Sequence, residues 1–155
     1  MLDTKFFPQY FKDRLLASFD DLDDATGGLM VKSENWQALN LLQERYREQV
    51  KCIYIDPPYN TGSDEFLYKD NYQHSSWLSM IGERLELSKK LISSDGSFFQ
   101  QIDYHEFANL KILLDIIFGE ENFVNEIIWR RKQATSWSTK QFGIVNDTIY
   151  WYSKT

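Results

Sequence analysis

Apolar positions along the chain fall into two rhythms. At Trp36, Leu39, Leu42 and Tyr46, at Trp77, Ile81, Leu85, Ser88 and Ile92, and at Phe107, Leu110, Leu114 and Ile117, the spacing is three or four residues. That spacing predicts three amphipathic helices, over residues 36–49, from 75 or 76 to about 92, and over 104–118. Ser33-Glu34-Asn35 caps the first, Ser75 or Ser76 the second, and Gly119 ends the third. Short apolar runs lie between them, at 52–55, 97–102 and 123–129, and read as strands. Residues 148–152 alternate Ile149 and Trp151 against Tyr150 and Tyr152, which predicts an antiparallel partner for 123–129. Upstream, residues 6–19 read as a shorter helix starting at Pro8 with Tyr10, Phe11, Leu15 and Phe19 on one side, 20–28 as an acidic linker, and 29–31 as a short strand. Strands alternating with helices predict an α/β fold, a mostly parallel sheet with helices on both faces, ending in an antiparallel hairpin. Residues 1–26 form an N-terminal helix and linker, and 27–155 the main domain.

The candidate chemistry lies where the first apolar run stops. Cys52 to Ile55 leads into Asp56-Pro57-Pro58-Tyr59 and then Asn60-Thr61-Gly62. Proline cannot donate to a sheet ladder, so Pro57 ends the strand and Pro58 stiffens the exit. A carboxylate, a main-chain carbonyl and an aromatic ring are thereby held at the carboxyl end of a strand, where open α/β sheets bind ligands. Methylation of an exocyclic amine on a nucleobase needs such a set. The nitrogen lone pair is delocalised into the ring, and acceptors aimed at both N–H bonds favour a pyramidal, nucleophilic nitrogen. The Asp56 carboxylate and the Pro57 carbonyl supply two acceptors. The Tyr59 ring offers a face on which an extruded base stacks, worth ~1–3 kcal/mol. The competing reading is a strand and a proline turn that merely change the direction of the chain.

Asp56-Pro57-Pro58-Tyr59 resembles the catalytic tetrapeptide of DNA amino-methyltransferases. The longer stretch from Asp56 to Leu87 is similar to the β-class group, particularly the modification subunits of type III restriction-modification systems. The resemblance implies a partial Rossmann-like methyltransferase fold and transfer of methyl from S-adenosyl-L-methionine to adenine N6 in double-stranded DNA. It implies a restriction subunit and a second modification subunit as partners. Aspartate at the first motif position favours adenine, since cytosine-N4 enzymes usually carry serine there. The resemblance also places Glu34 and Asn35, with Asp56, near the cofactor; helix capping explains Glu34 and Asn35 equally well. Relatives often have Asp where Glu34 stands, Gly where Ser33 stands and His where Asn146 stands. The Phe-x-Gly-x-Gly turn that grips the cofactor in the family has no counterpart here. The expectation is therefore the catalytic half of a larger enzyme, with an unpaired sheet edge beside the catalytic strand.

Charge refines this picture. The net charge of −6 over 155 residues is the wrong sign for a simple DNA-binding domain. It is unevenly spread: residues 1–24 carry −3, whereas residues 123–155 carry +3. Arg130, Arg131, Lys132 and Lys140 lie in a hydroxyl-rich segment that includes Trp137, and are the candidate phosphate contacts. A solvated loop is the equal alternative. The single Cys52 reads as a small buried strand residue, and one cysteine forms no intrachain disulfide, which fits a cytoplasmic protein. No run approaches the ~18 apolar residues of a membrane span. His105 and Glu106 are adjacent and lack a second histidine at i+4, so no metal site is expected. His74 reads as a capping or solvent residue, and Trp77 as core, with a cofactor contact the lesser alternative. Three rivals to adenine-N6 transfer remain: cytosine-N4 or RNA methylation; protein glutamine methylation, which Asp56 disfavours; and a DNA-binding remnant without catalysis.

Overall fold

The computed structural model describes residues 3–61, 74–131 and 144–155. The chain divides into two compact units, Met1–Lys32 and Ser33–Thr155.

In the first unit, helix α1 spans Gln9–Leu16 with Pro8 at its N-cap. Proline at this boundary loses nothing, because its missing N–H would have no helical acceptor. The acidic linker contains a single-turn helix, α2, Leu22–Ala25. Asp21 makes it possible: its carboxylate accepts the Asp23 and Asp24 N–H groups at 2.8 and 3.3 Å. The strand expected at 29–31 is absent, and all three residues are exposed. Three residues without a ladder partner cannot hold extended geometry as a strand.

The second unit opens with α3, Asn35–Tyr46, and continues through β1, Val50–Ile55, α4, His74–Leu91, and β2, Ile92–Ile102. Helix α5, Phe107–Phe118, then leads to β3, Phe123–Arg130, and β4, Asn146–Ser153. The sheet order is β1-β2-β4-β3. β1 pairs parallel with β2, and β4 pairs antiparallel with both β2 and β3. The expected hairpin is present, but the described sheet is mixed rather than mostly parallel, because the hairpin strand β4, not a strand reached by a helical crossover, lies beside β2. Gly96 sits where the β1–β2 register slips; a Cβ there would meet the Val50 carbonyl at 2.9 Å and the Ile92 side chain at 2.5 Å. The expected edge beside the catalytic strand is present, since β1 pairs only with β2 among the described residues.

The core lies between one sheet face and the two helices α4 and α5. Trp77, Ile81 and Leu85 of α4 and Leu110, Leu114, Ile117 and Phe118 of α5 close on Phe98, Ile102, Tyr150 and Tyr152. The stripes read from spacing for α4 and α5 are thus core stripes, with Phe118 replacing the half-exposed Phe107. The α3 stripe stays outside the core, Trp36 being exposed and Leu39, Leu42 and Tyr46 only half-buried. Tyr152 donates to Asp115 at 2.6 Å and Tyr150 to the Phe107 carbonyl at 3.1 Å, so both buried phenols have partners. α3 packs on α4, with the buried Gln43 amide donating to the Leu87 carbonyl at 2.9 Å. The alternate residues of each strand point to the opposite face, which is half-exposed; there Phe99 stacks on Trp151 with ring centroids 5.4 Å apart. Cys52 lies on that side and is exposed, contrary to the expectation of burial. An apolar run implies burial on both faces, but β1 is an edge strand whose Ile53 and Ile55 alone pack on the core.

Candidate active site

The Asp56-Pro57-Pro58-Tyr59 turn leaves the carboxyl end of β1, and the fold holds it from three directions. From below, the Trp77 indole N–H donates to the Pro58 carbonyl at 2.8 Å. Trp77 is fully buried. Among the described residues no donor reaches the Pro57 carbonyl, so the helix engages one proline carbonyl of the pair. From within, the Tyr59 hydroxyl donates to Asp56 Oδ1 at 2.6 Å, placing the aromatic ring beside the carboxylate. The Tyr59 phenol is held well above its ordinary range, first by burial and then by the Asp56 hydrogen bond and charge, with Gln101 opposing. The phenol is therefore neutral and remains a donor at physiological pH. From the exit side, Asn60 adopts φ 60°, and its amide donates to Glu106 Oε1 at 2.6 Å. Asparagine enters this left-handed region more readily than most residues, which suits it to the corner.

A polar chain crosses the half-exposed sheet face at the same level. Tyr54 of β1 donates to Gln101 of β2, and Gln101 donates to Asp147 of β4 at 3.0 Å. Asp147 is only 2 % exposed, and its other oxygen, which accepts no hydrogen bond among the described residues, forms an ion pair with Arg131 Nε at 3.0 Å. A buried carboxylate requires such partners. Burial and the Asp56 charge also raise the Tyr54 phenol. The chain thus runs from the strand that leads into the Asp56–Tyr59 turn to the residue that follows β3.

The other predicted site residues fall as follows. Glu34 is the N-cap of α3, accepting the Gln37 N–H at 3.2 Å, and it pairs with Arg84 of α4. The Arg84 guanidinium holds the Glu34 carboxyl below its ordinary range. Capping is therefore its structural role, and a cofactor contact has only its remaining lone pairs to use. Asn35 is the first residue of α3 and is exposed. Arg130 ends β3, exposed, and Arg131 is committed through Nε to Asp147. Lys132 and Lys140 lie outside the described residues, as do residues 62–73 after the turn. His105 and Glu106 take separate partners: His105 Nδ1 lies 2.8 Å from Asp103, while Glu106 faces the turn.

Three contributors escaped the reading of the sequence. Trp77 read as core or, less favoured, as a cofactor contact and not as a partner of the turn, Gln101 only as strand, and Glu106 only as a dismissed metal ligand. Position held the one available clue for the last two. Gln101 and Glu106 flank the carboxyl end of β2, the neighbour of β1, where ligand-facing residues gather in such sheets.

The sheet order, the strand-end turn and the buried helices beneath it define a methyltransferase-type α/β core. Solved DNA methyltransferases share it. The PvuII DNA methyltransferase (cytosine-N4-specific) aligns over 76% of this chain and 47% of its own, with TM-score 0.55 at 19% identity. M1.HpyAVI, solved as a complex with SAM, aligns over 79% of this chain and 52% of its own, with TM-score 0.51 at 14% identity. The chain belongs to the DNA methylase family, whose N6/N4 methyltransferase model matches residues 50–155. Among curated relatives, the StyLTI Mod subunit of the type III restriction-modification enzyme of Salmonella typhimurium is 37% identical over 155 residues, covering 82% of this chain and 24% of the relative. The probable HindVI Mod subunit of Haemophilus influenzae is 47% identical over 104 residues, covering 67% of this chain and 14% of the relative. The chain spans about a quarter or less of the length of these relatives.

Proposed function

We propose that this chain carries the catalytic turn of a DNA methyltransferase that moves a methyl group from S-adenosyl-L-methionine to the N6 amine of an extruded adenine, within a restriction-modification system. The observation that carries this reading is the turn itself. The Asp56 carboxylate and the Pro57 carbonyl stand at the end of β1, while the neighbouring Pro58 carbonyl is turned to Trp77. Two acceptors aimed at one amine polarise both N–H bonds and leave the lone pair free to attack.

When bound, the cofactor supplies an electrophilic methyl carbon on a sulfonium leaving group. Asp56 orients the amine, and it or solvent takes the proton that the methylated nitrogen releases. Asp56 Oδ2 is the oxygen for this task, because Oδ1 receives the Tyr59 hydroxyl. The Tyr59 ring stacks on the extruded base. Glu34, Asn35 and Asp56 fit an adenosine as hydrogen-bond acceptors, since carboxylate and amide oxygens accept from ribose hydroxyls. Arg130, Lys132 and Lys140 meet phosphates, with Arg131 contributing the guanidinium nitrogens that Asp147 does not use. A restriction subunit and a second modification subunit are the partners this reading implies. Among the described residues no helix is long and apolar enough to cross a membrane, and we place the protein in the cytoplasm, where its DNA substrate lies.

The test is Asp56→Ala in the polypeptide expressed from its complete coding sequence, in a host lacking adenine methylation. Nucleoside analysis of host DNA is expected to find N6-methyladenine with the parent and none with the variant. Methylation that persists undiminished removes the reading, and N4-methylcytosine as the product replaces adenine by cytosine.

A further inference from the structure

We infer that Glu106 is a positioning residue for the catalytic turn, a role that rests on the methyl-transfer reading above. Its side chain is fully buried at the start of α5, where β2 has just ended. A carboxylate removed from water has to be surrounded by donors. Oε1 accepts the Asn60 amide at 2.6 Å and lies 2.8 Å from His74 Nδ1; Oε2 accepts the Asn109 amide at 2.8 Å. Glu106 occupies the N-cap position of α5 yet makes no side-chain capping bond there. One oxygen is spent on its own helix and the other on the two flanks of the turn.

Those flanks matter because of what they control. Asn60 follows Tyr59 directly and stands at φ 60°, a conformation open to asparagine, and its amide bond to Glu106 ties the chain there. His74 opens α4, the helix whose Trp77 grips the Pro58 carbonyl three residues later. Glu106 and Trp77 therefore bracket Tyr59 from either side. With Pro58 and Asn60 both pinned, the Pro57 carbonyl and the Tyr59 ring have one direction available to them. Displacing reacting groups by about 1 Å costs about 10²-fold in rate.

Asn60→Asp sets a second carboxylate against Glu106, and Glu106→Gln is close to isosteric. Single-turnover transfer of labelled methyl to adenine-containing duplex is measured on the full-length polypeptide, beside cofactor affinity and thermal melting. Asn60→Asp is expected to slow the chemical step about 10²-fold with cofactor affinity unchanged. Glu106→Gln is expected to slow it less. The double variant, in which the amide introduced by Glu106→Gln donates to the carboxylate introduced by Asn60→Asp, is expected to recover most of the rate lost by Asn60→Asp. Asn60→Gly takes φ 60° without strain and keeps the fold while cutting the tether, so its rate also falls. Rates that stay at the parent value, or a double variant no faster than Asn60→Asp, overturn the inference. Asp56→Ala, run in parallel, separates the two claims. If it abolishes transfer while the Glu106 and Asn60 variants keep full rate, positioning alone fails; if it leaves transfer intact, the methyl-transfer reading fails first.

Discussion

The two faces of the sheet use similar side chains for different ends. On the helix-covered face, Trp77, Phe98 and Tyr152 have no exposed surface and form one cluster. On the opposite face Tyr54 is 53 % exposed and Trp129 is 57 % exposed, while Tyr54, Gln101 and Asp147 are joined by hydrogen bonds. On the first face packing fixes Trp77, whose indole N–H holds the Pro58 carbonyl, and on the second polar contacts link strands. Aromatic content alone says nothing about which of these a residue does. The helix behind it, or the lack of one, decides.

The sharpest way to break this contrast is to empty a position on each face. Leu114→Ala, in the buried layer of α5, is expected to destabilise the protein by about 2–5 kcal/mol in urea unfolding, because the cavity cannot collapse against α4 and β4. Phe99→Ala, whose ring stacks on Trp151 at the half-exposed face, is expected to cost about 1 kcal/mol. Equal losses would erase the distinction between the faces.

A smaller effect separates packing from hydrogen bonding within the covered face. Trp77→Phe keeps an aromatic ring but leaves the Pro58 carbonyl without its donor, at about 1–3 kcal/mol. Methyl transfer is expected to fall further than stability does, because the turn then loses one of its fixed points. A variant that loses stability with its rate unchanged would make Trp77 a core residue only.

The mildest change tests the buried polar contacts of the same face. Tyr152→Phe removes a hydrogen bond to Asp115, worth about 1 kcal/mol. Burial raises the Asp115 carboxyl, but the Lys111 and Tyr152 hydrogen bonds outweigh it, and the net pKa is lowered from 3.8. A carboxyl depressed in the folded state contributes stability that is fully present above its unfolded value and is lost as pH falls through the folded value. The parent should therefore lose stability from about pH 4 downward, and Tyr152→Phe should lose less over the same range. Unfolding free energies measured between pH 6 and pH 2 check the difference in slope.

Much of the architecture was legible because it follows from local chemistry. Pro57 could only end β1, and the three-four spacing of Trp77, Ile81 and Leu85 could only make one buried stripe. Tyr150 and Tyr152 alternated with Ile149 and Trp151 as a two-faced strand requires. Cys52 was misread for an equally physical reason: an apolar run looks the same in a central strand and at an edge. Residues 29–31 have strand-forming side chains, but a strand is a pairing and they have no pair among the described residues. Of the site, Asp56 and Tyr59 stood out at once, and Asn60 drew notice only as part of a loop.

Sequence by itself determined the candidate set: a carboxylate, an imino-acid carbonyl and an aromatic ring at a strand end, because proline geometry acts within a few residues of where it is placed. Only the tertiary structure decided what holds that set still. Asn60 meets Glu106 across 46 positions and Pro58 meets Trp77 across 19. Contacts of that separation depend on how β2, α4 and α5 pack, and no local preference of the chain encodes them.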